Sequence, residues 1–130
     1  MTELISESGS TQLAKLLAEM NGQGNFPIAV ITDIEGFPIA WAALPDQDPD
    51  LQSAVVALIQ KTAIQVRQQL GMARMDEISV YDREGQRLVC RPFEANQHQL
   101  ILAVLVPDKR QAYRRLTNKA IRSIQKIWKL

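Results

Sequence analysis

One tetrapeptide, Asp-x-Glu-Gly, occurs twice between apolar runs, and it constrains the fold more than any other feature of the chain. The first copy lies in Ile31-Thr32-Asp33-Ile34-Glu35-Gly36-Phe37-Pro38-Ile39-Ala40, and the second in Val80-Tyr81-Asp82-Arg83-Glu84-Gly85-Gln86-Arg87-Leu88-Val89. Each sets a glycine where a tight turn needs a positive φ, which is the local chemistry of a β-hairpin. The segments around the hairpins carry helical spacing, so the sheet is made of hairpins rather than parallel crossovers.

Residues 1–9 are expected to form a flexible tail, followed by a single domain over 10–130. A helix is predicted from Ser10 as N-cap to Gly22, with Leu13, Leu16, Leu17 and Met20 on one face. Strands follow at 26–32 and 37–43. Asp48 as N-cap and Pro49 at the first helical position open the longest helix, which Gly71 closes after Leu70. On its wheel Leu51, Val55, Leu58, Ile59, Thr62, Ala63, Val66 and Leu70 gather on the side predicted to face the core. Ala57 and Ile64 fall on the far side among Ser53, Gln60, Lys61 and Gln68, and that outer seam is the candidate contact with a second chain. Ile64→Arg is therefore expected to weaken dimer or partner binding.

Three more strands are predicted at 77–81, 86–93 and 99–106. The last is apolar on both faces and belongs at the centre of the sheet, covered by helices on both sides. Ile78-Ser79-Val80-Tyr81 is short and alternating, which suits an exposed edge available for pairing with another copy. From Pro107 a final helix is predicted to bury Ala112, Leu116, Ala120, Ile124, Ile127 and Trp128. The class is α+β, in the order α-β-β-α-β-β-β-α, with a five-stranded antiparallel-type sheet and helices on both faces.

A chain of 130 residues is long enough to bury a core without metal or disulfide support, and it holds one cysteine, Cys90. Its net charge of +1 hides a gradient, since the acids crowd before Asp50 and only bases follow Asp108. The N-terminus has no signal-peptide pattern, and no apolar run approaches the roughly 20 residues that span a bilayer, so a cytoplasmic location is expected.

The chemical candidates are few. Cys90 reads as a small buried hydrophobe rather than a nucleophile. His98 stands alone in a polar turn, with no second histidine to join it in a metal site, and no Gly-x-Ser-x-Gly elbow accompanies a serine. The pairs Asp33 with Glu35 and Asp82 with Glu84 invite a metal or acid–base reading. The plainer reading is that each Asp accepts hydrogen bonds from turn amides while each Glu is solvated. No phosphate-binding glycine motif is present, and no cofactor or small-molecule substrate is expected. The basic last helix is read as a solvated face in preference to a nucleic-acid or anionic-membrane site, because its aromatics, Tyr113 and Trp128, lie on or beside the buried stripe.

The element order and the hairpin running from Phe26 through Asp33, Gly36 and Phe37-Pro38-Ile39-Ala40 resemble the Roadblock family of dynein light chains and bacterial GTPase regulators. The likeness covers residues 11–130. It implies a homodimer whose long helices pack together and whose third strands pair across a two-fold axis. The implied dimer or partner surface comprises Ser53, Ala57, Gln60, Lys61, Ile64, Arg67 and Gln68 on the long helix, with Ile78, Ser79, Val80 and Tyr81 as the edge strand. It further implies a non-enzymatic regulator that binds a small Ras-like GTPase, the alternative being an adaptor docked to a larger motor or signalling assembly. Members of the gliding-motility type act without an arginine finger. Arg67 and Arg74 are the nearest candidates for one, and neither is expected to serve.

Overall fold

The computed structural model describes residues 2–128. Three helices and one sheet follow in the expected order: α1 (Thr2–Gly24), β1 (Ile28–Asp33), β2 (Pro38–Ala43), α2 (Pro49–Leu70), β3 (Ile78–Tyr81), β4 (Arg87–Ala95), β5 (His98–Val106) and α3 (Arg114–Ile127). The sheet order is β2-β1-β5-β4-β3 and every pairing is antiparallel. β5 is central and β3 is an edge, as the apolar pattern predicts.

Alternation along the strands separates two cores. On one face Ala29, Ile31, Val89, Leu100, Leu102 and Val104 pack with Leu13, Leu17 and Met20 of α1 and Ala120 and Ile124 of α3. On the other, Ile28, Val30, Cys90, Ile101 and Ala103 pack with Val56 of α2. The sheet is thus covered by two helices on one face and one on the other.

Both hairpin turns have the same construction. Asp33 Oδ1 accepts hydrogen bonds from the amides of Glu35 (2.9 Å) and Phe37 (3.0 Å), and Asp82 Oδ1 accepts them from Glu84 and Gln86 (both 2.9 Å). Gly36 (φ +89°) and Gly85 (φ +91°) occupy the matching positions. The plain reading of these acids, as turn acceptors, is therefore the observed one.

Gly36 carries a second constraint, because a Cβ there would overlap Ala57 Cβ of α2 and lie 3.0 Å from Ser53 O. Backbone strain and overpacking together predict that Gly36→Ala destabilises the fold by about 2 kcal/mol in urea unfolding. Pairing it with Ala57→Gly should recover the packing part of the loss. An unchanged urea midpoint in Gly36→Ala would contradict this close approach.

Two helix starts differ from expectation. α1 begins at Thr2, so Ser10 is interior rather than a cap, and its hydroxyl donates to Ile39 O at 3.3 Å, tying the helix to β2. Residues 2–9, expected as tail, continue this helix. α3 begins only at Arg114, because the preceding residues form a loop organised by Gln111. The Gln111 side chain accepts from Asp108 N and donates to Gly24 O (2.6 Å) and Asn25 O (3.0 Å), which anchors the loop on the end of α1. Ala112 is consequently exposed rather than part of the buried stripe.

Candidate protein-interaction surface

The caps of α2 are those the sequence specifies. Asp48 accepts from the amides of Asp50 and Leu51, Pro49 opens the helix, and Gly71 closes it in the left-handed region. Its buried side is rotated from the wheel reading: Ala63 is inside as expected and Ile59 is half-buried on the second core, but the rest of the expected stripe is exposed. Ser53, Val56 and Ala63 are buried, and Ala57, Gln60 and Arg67 are half-buried on the same side. Leu51, Val55, Leu58 and Val66, expected inside, stand 62%, 38%, 66% and 38% exposed, with Leu70 at 71%.

The rotation has a steric cause. Small side chains at positions 53, 57 and 63 let the helix lie close on β1, β2 and the Gly36 turn, and Ser53 satisfies its buried hydroxyl by donating to Pro49 O at 2.8 Å. Of the proposed seam, Ser53 is therefore core and Ala57 lies under the hairpin, while Lys61 and Gln68 are exposed. Ile64 lies toward the hairpin, lining a cleft with Ile34, Gln60 and Arg67.

The exposed side of α2 continues onto the sheet. Ile59 of α2 packs at the margin of the second core with Ile78 of β3, Leu88 of β4 and Leu105 of β5, all half-buried. Val80 pairs with Leu88 and is 50% exposed. Together they form an apolar wall on α2 and an apolar floor on β3 and β4. At the limit of that floor β3 bonds to β4 only, leaving its outer edge open among the described residues.

β3 is held in place by ionic and aromatic contacts from the opposite face. The buried Arg91 of β4 donates from Nη1 to Thr117 Oγ1 and from Nη2 to Asn118 Oδ1, each at 2.8 Å, and from Nε to Asp76 O at 3.3 Å. Arg87 lies 5.7 Å from the Tyr81 ring and 5.0 Å from the Tyr113 ring and donates to Gln111 O at 2.7 Å. Glu77 accepts from Tyr113 Oη (2.5 Å), Ser79 Oγ (3.0 Å) and Arg114 Nη1 (2.8 Å), and Asp76 also pairs with Arg114. The residues preceding the edge strand are thereby fixed to α3.

These contacts set an acid sensitivity. Hydrogen bonding from Arg114 holds Asp76 below the usual carboxylate range. Burial by itself raises Glu77, but hydrogen bonds from Tyr113, Ser79 and Arg114 outweigh it and leave the carboxyl lowered. Depressed acids bind more protons in the unfolded chain, so their stabilisation is complete above about pH 5 and is lost as pH falls below about 4.5. Asp76 is 71% exposed and screened, whereas Glu77 is 19% exposed and carries most of the effect. The urea midpoint is expected to be flat from neutral pH to about pH 5 and to drop below it, with a shallower drop in Glu77→Gln. Equal slopes in the two proteins would contradict this role.

The remaining chemical candidates find structural places. Cys90 is 1% exposed, and burial, with the Glu77 charge adding, pushes its thiol up to about 12. His98 meets the Trp128 ring edge-on at 5.7 Å. Arg74 pairs with Glu94 at 3.6 Å. Among the described residues no group of three or more His, Cys, Asp or Glu side chains is placed to hold a metal ion, and no helix is long and apolar enough to cross a membrane.

Neither a protein-family model nor a curated protein matches the sequence. Solved structures do. The Myxococcus xanthus protein MglB aligns with a TM-score of 0.75 and 15% identity, covering 92% of each chain. The gliding protein MglB of Thermus thermophilus gives a TM-score of 0.72 and 19% identity over 92% of this chain and 90% of that one. A Roadblock/LC7 domain from Streptomyces avermitilis gives 0.65 and 15%, over 88% and 92%. The fold of this chain is of the Roadblock type.

Proposed function

We propose that this protein is a cytoplasmic, non-enzymatic homodimeric regulator that binds a small Ras-like GTPase and modulates its nucleotide cycle. The observation that carries the reading is the exposed apolar face of α2, continuous with the half-covered floor of β3 and β4 and bounded by an open strand edge. A second copy related by a two-fold axis lays its own α2 wall against this floor and pairs β3 with β3, which removes both the apolar surface and the unpaired edge. The Roadblock-type fold and its likeness to MglB support the GTPase as partner.

In this reading the paired α2 helices and their flanks form a composite surface. Any acceleration of hydrolysis arises from positioning the GTPase's own catalytic groups, through orientation and electrostatics. Arg67 is half-buried on α2 and Arg74 pairs with Glu94, and in this reading neither supplies a finger.

The test is nucleotide hydrolysis and exchange in the small Ras-like GTPases of the same organism, each with and without the protein. A regulator changes at least one of the two rates several-fold. Binding that leaves both rates untouched would replace this reading with that of an adaptor, and absence of binding would overturn it.

A further inference from the structure

A cleft of about 230 Å³ lies beneath the C-terminal half of α2, away from the apolar wall, and neither the fold nor the proposed interface uses it. Ile34, Ile64, Pro92 and Ile101 give it an apolar body, with Gln60 and Gln99 among its polar groups. Three charged side chains line it. Arg74 and Glu94 form an ion pair at 3.6 Å and offset one another, which leaves Arg67 as the net charge of the site. The Nε of Arg67 is buried and has no hydrogen-bond partner among the described residues. A buried donor left unpaired is unfavourable, and native structures satisfy nearly all of them.

We propose that this cleft binds a small organic monocarboxylate, whose oxygens accept hydrogen bonds from the Arg67 guanidinium while its apolar body lies against Ile34, Ile64 and Pro92. The chemistry selects the ligand at three points. The guanidinium fork matches a planar carboxylate. One uncompensated positive charge fits one negative charge and leaves the second charge of a dianion such as phosphate unpaired. The volume lies below the roughly 300–1,000 Å³ of pockets for drug-sized molecules, so the ligand is of fragment size. Because Arg67 belongs to α2, occupancy also stabilises the helix that carries the exposed apolar face.

The experiment uses hexanoate as probe, with hexanamide as its neutral counterpart, titrated into isotope-labelled full-length protein and followed by NMR. Hexanoate is expected to give saturable shifts at the Arg67 Nε–H and at the backbone amides of Ile64 and Gln99, with hexanamide at least tenfold weaker. Arg67→Met should weaken hexanoate at least tenfold. Gln99→Trp, which fills the cleft from an exposed strand position without altering its charge, should do the same and decides the matter if Arg67→Met fails to fold. Shifts that do not saturate, equal binding of the amide, tighter binding of inorganic phosphate, or hexanoate affinity unchanged in the variants would each overturn the proposal.

Discussion

Replacing Leu58 by aspartate is expected to leave the chain folded and to weaken its self-association about a thousandfold. Leu58 is 66% exposed in the single chain and touches neither core, so its loss costs the monomer only a few tenths of a kcal/mol in helix propensity. In the two-fold dimer we propose, it would be buried in both copies. Losing that burial removes about 2 kcal/mol from each, which together amount to about three decades in Kd, before any penalty for desolvating the new carboxylates. Sedimentation equilibrium over a concentration series reads the constant directly, and far-ultraviolet circular dichroism checks the fold. An unchanged dimer constant would remove the outer face of α2 from the interface.

Arg91→Ala is expected to destabilise the fold by about 4 kcal/mol, the largest effect of a single substitution away from the interface. The side chain is 5% exposed, and its guanidinium reaches three separate acceptors, Thr117 and Asn118 on α3 and the Asp76 carbonyl in the segment before β3. Truncation leaves Asn118 Oδ1 without that donor, opens a void under α3 and unties residue 76 from β4. Arg91→Lys should recover less than half of the loss, because one ammonium cannot span acceptors arranged for a planar fork. A loss under about 1 kcal/mol in urea unfolding would show that the network is incidental to the fold.

The order of elements was legible in the sequence because its punctuation is local. Asp33 and Asp82 bind the amides of their own turns, Asp48 binds amides within three residues, and Gly71 closes its own helix. What was not legible depends on groups distant in sequence. The late start of α3 follows from Gln111 reaching back to Gly24, and Ser10 lies inside α1 while bonding to Ile39. Arg87 and Arg91 lie on the buried face of β4 with Val89 between them, a pattern that by alternation alone puts charges into the core. Tyr81, Tyr113 and the Gln111 carbonyl around Arg87, and Thr117, Asn118 and the Asp76 carbonyl around Arg91, make that placement favourable.

The facing of α2 is the most instructive failure of pattern. A wheel assigns the broad apolar side to the interior, which presumes that one chain is the folded unit. Here the interior side is chosen by size, since Ser53 and Ala57 permit the close approach that Gly36 requires, while leucines in their place would not. The spacing of those small residues was the available signal. The apolar stripe, expected in the core, is instead exposed, and the cover we propose for it comes from a second copy.

That claim is tested most directly by amide hydrogen exchange along β3, compared between the wild-type protein and Leu58→Asp at the same concentration. Two copies joined at α2 and β3 predict that the amides of Ile78–Tyr81 not bonded to β4 exchange slowly in the wild type and rapidly in the variant. Rapid exchange of those amides in both proteins would contradict the account.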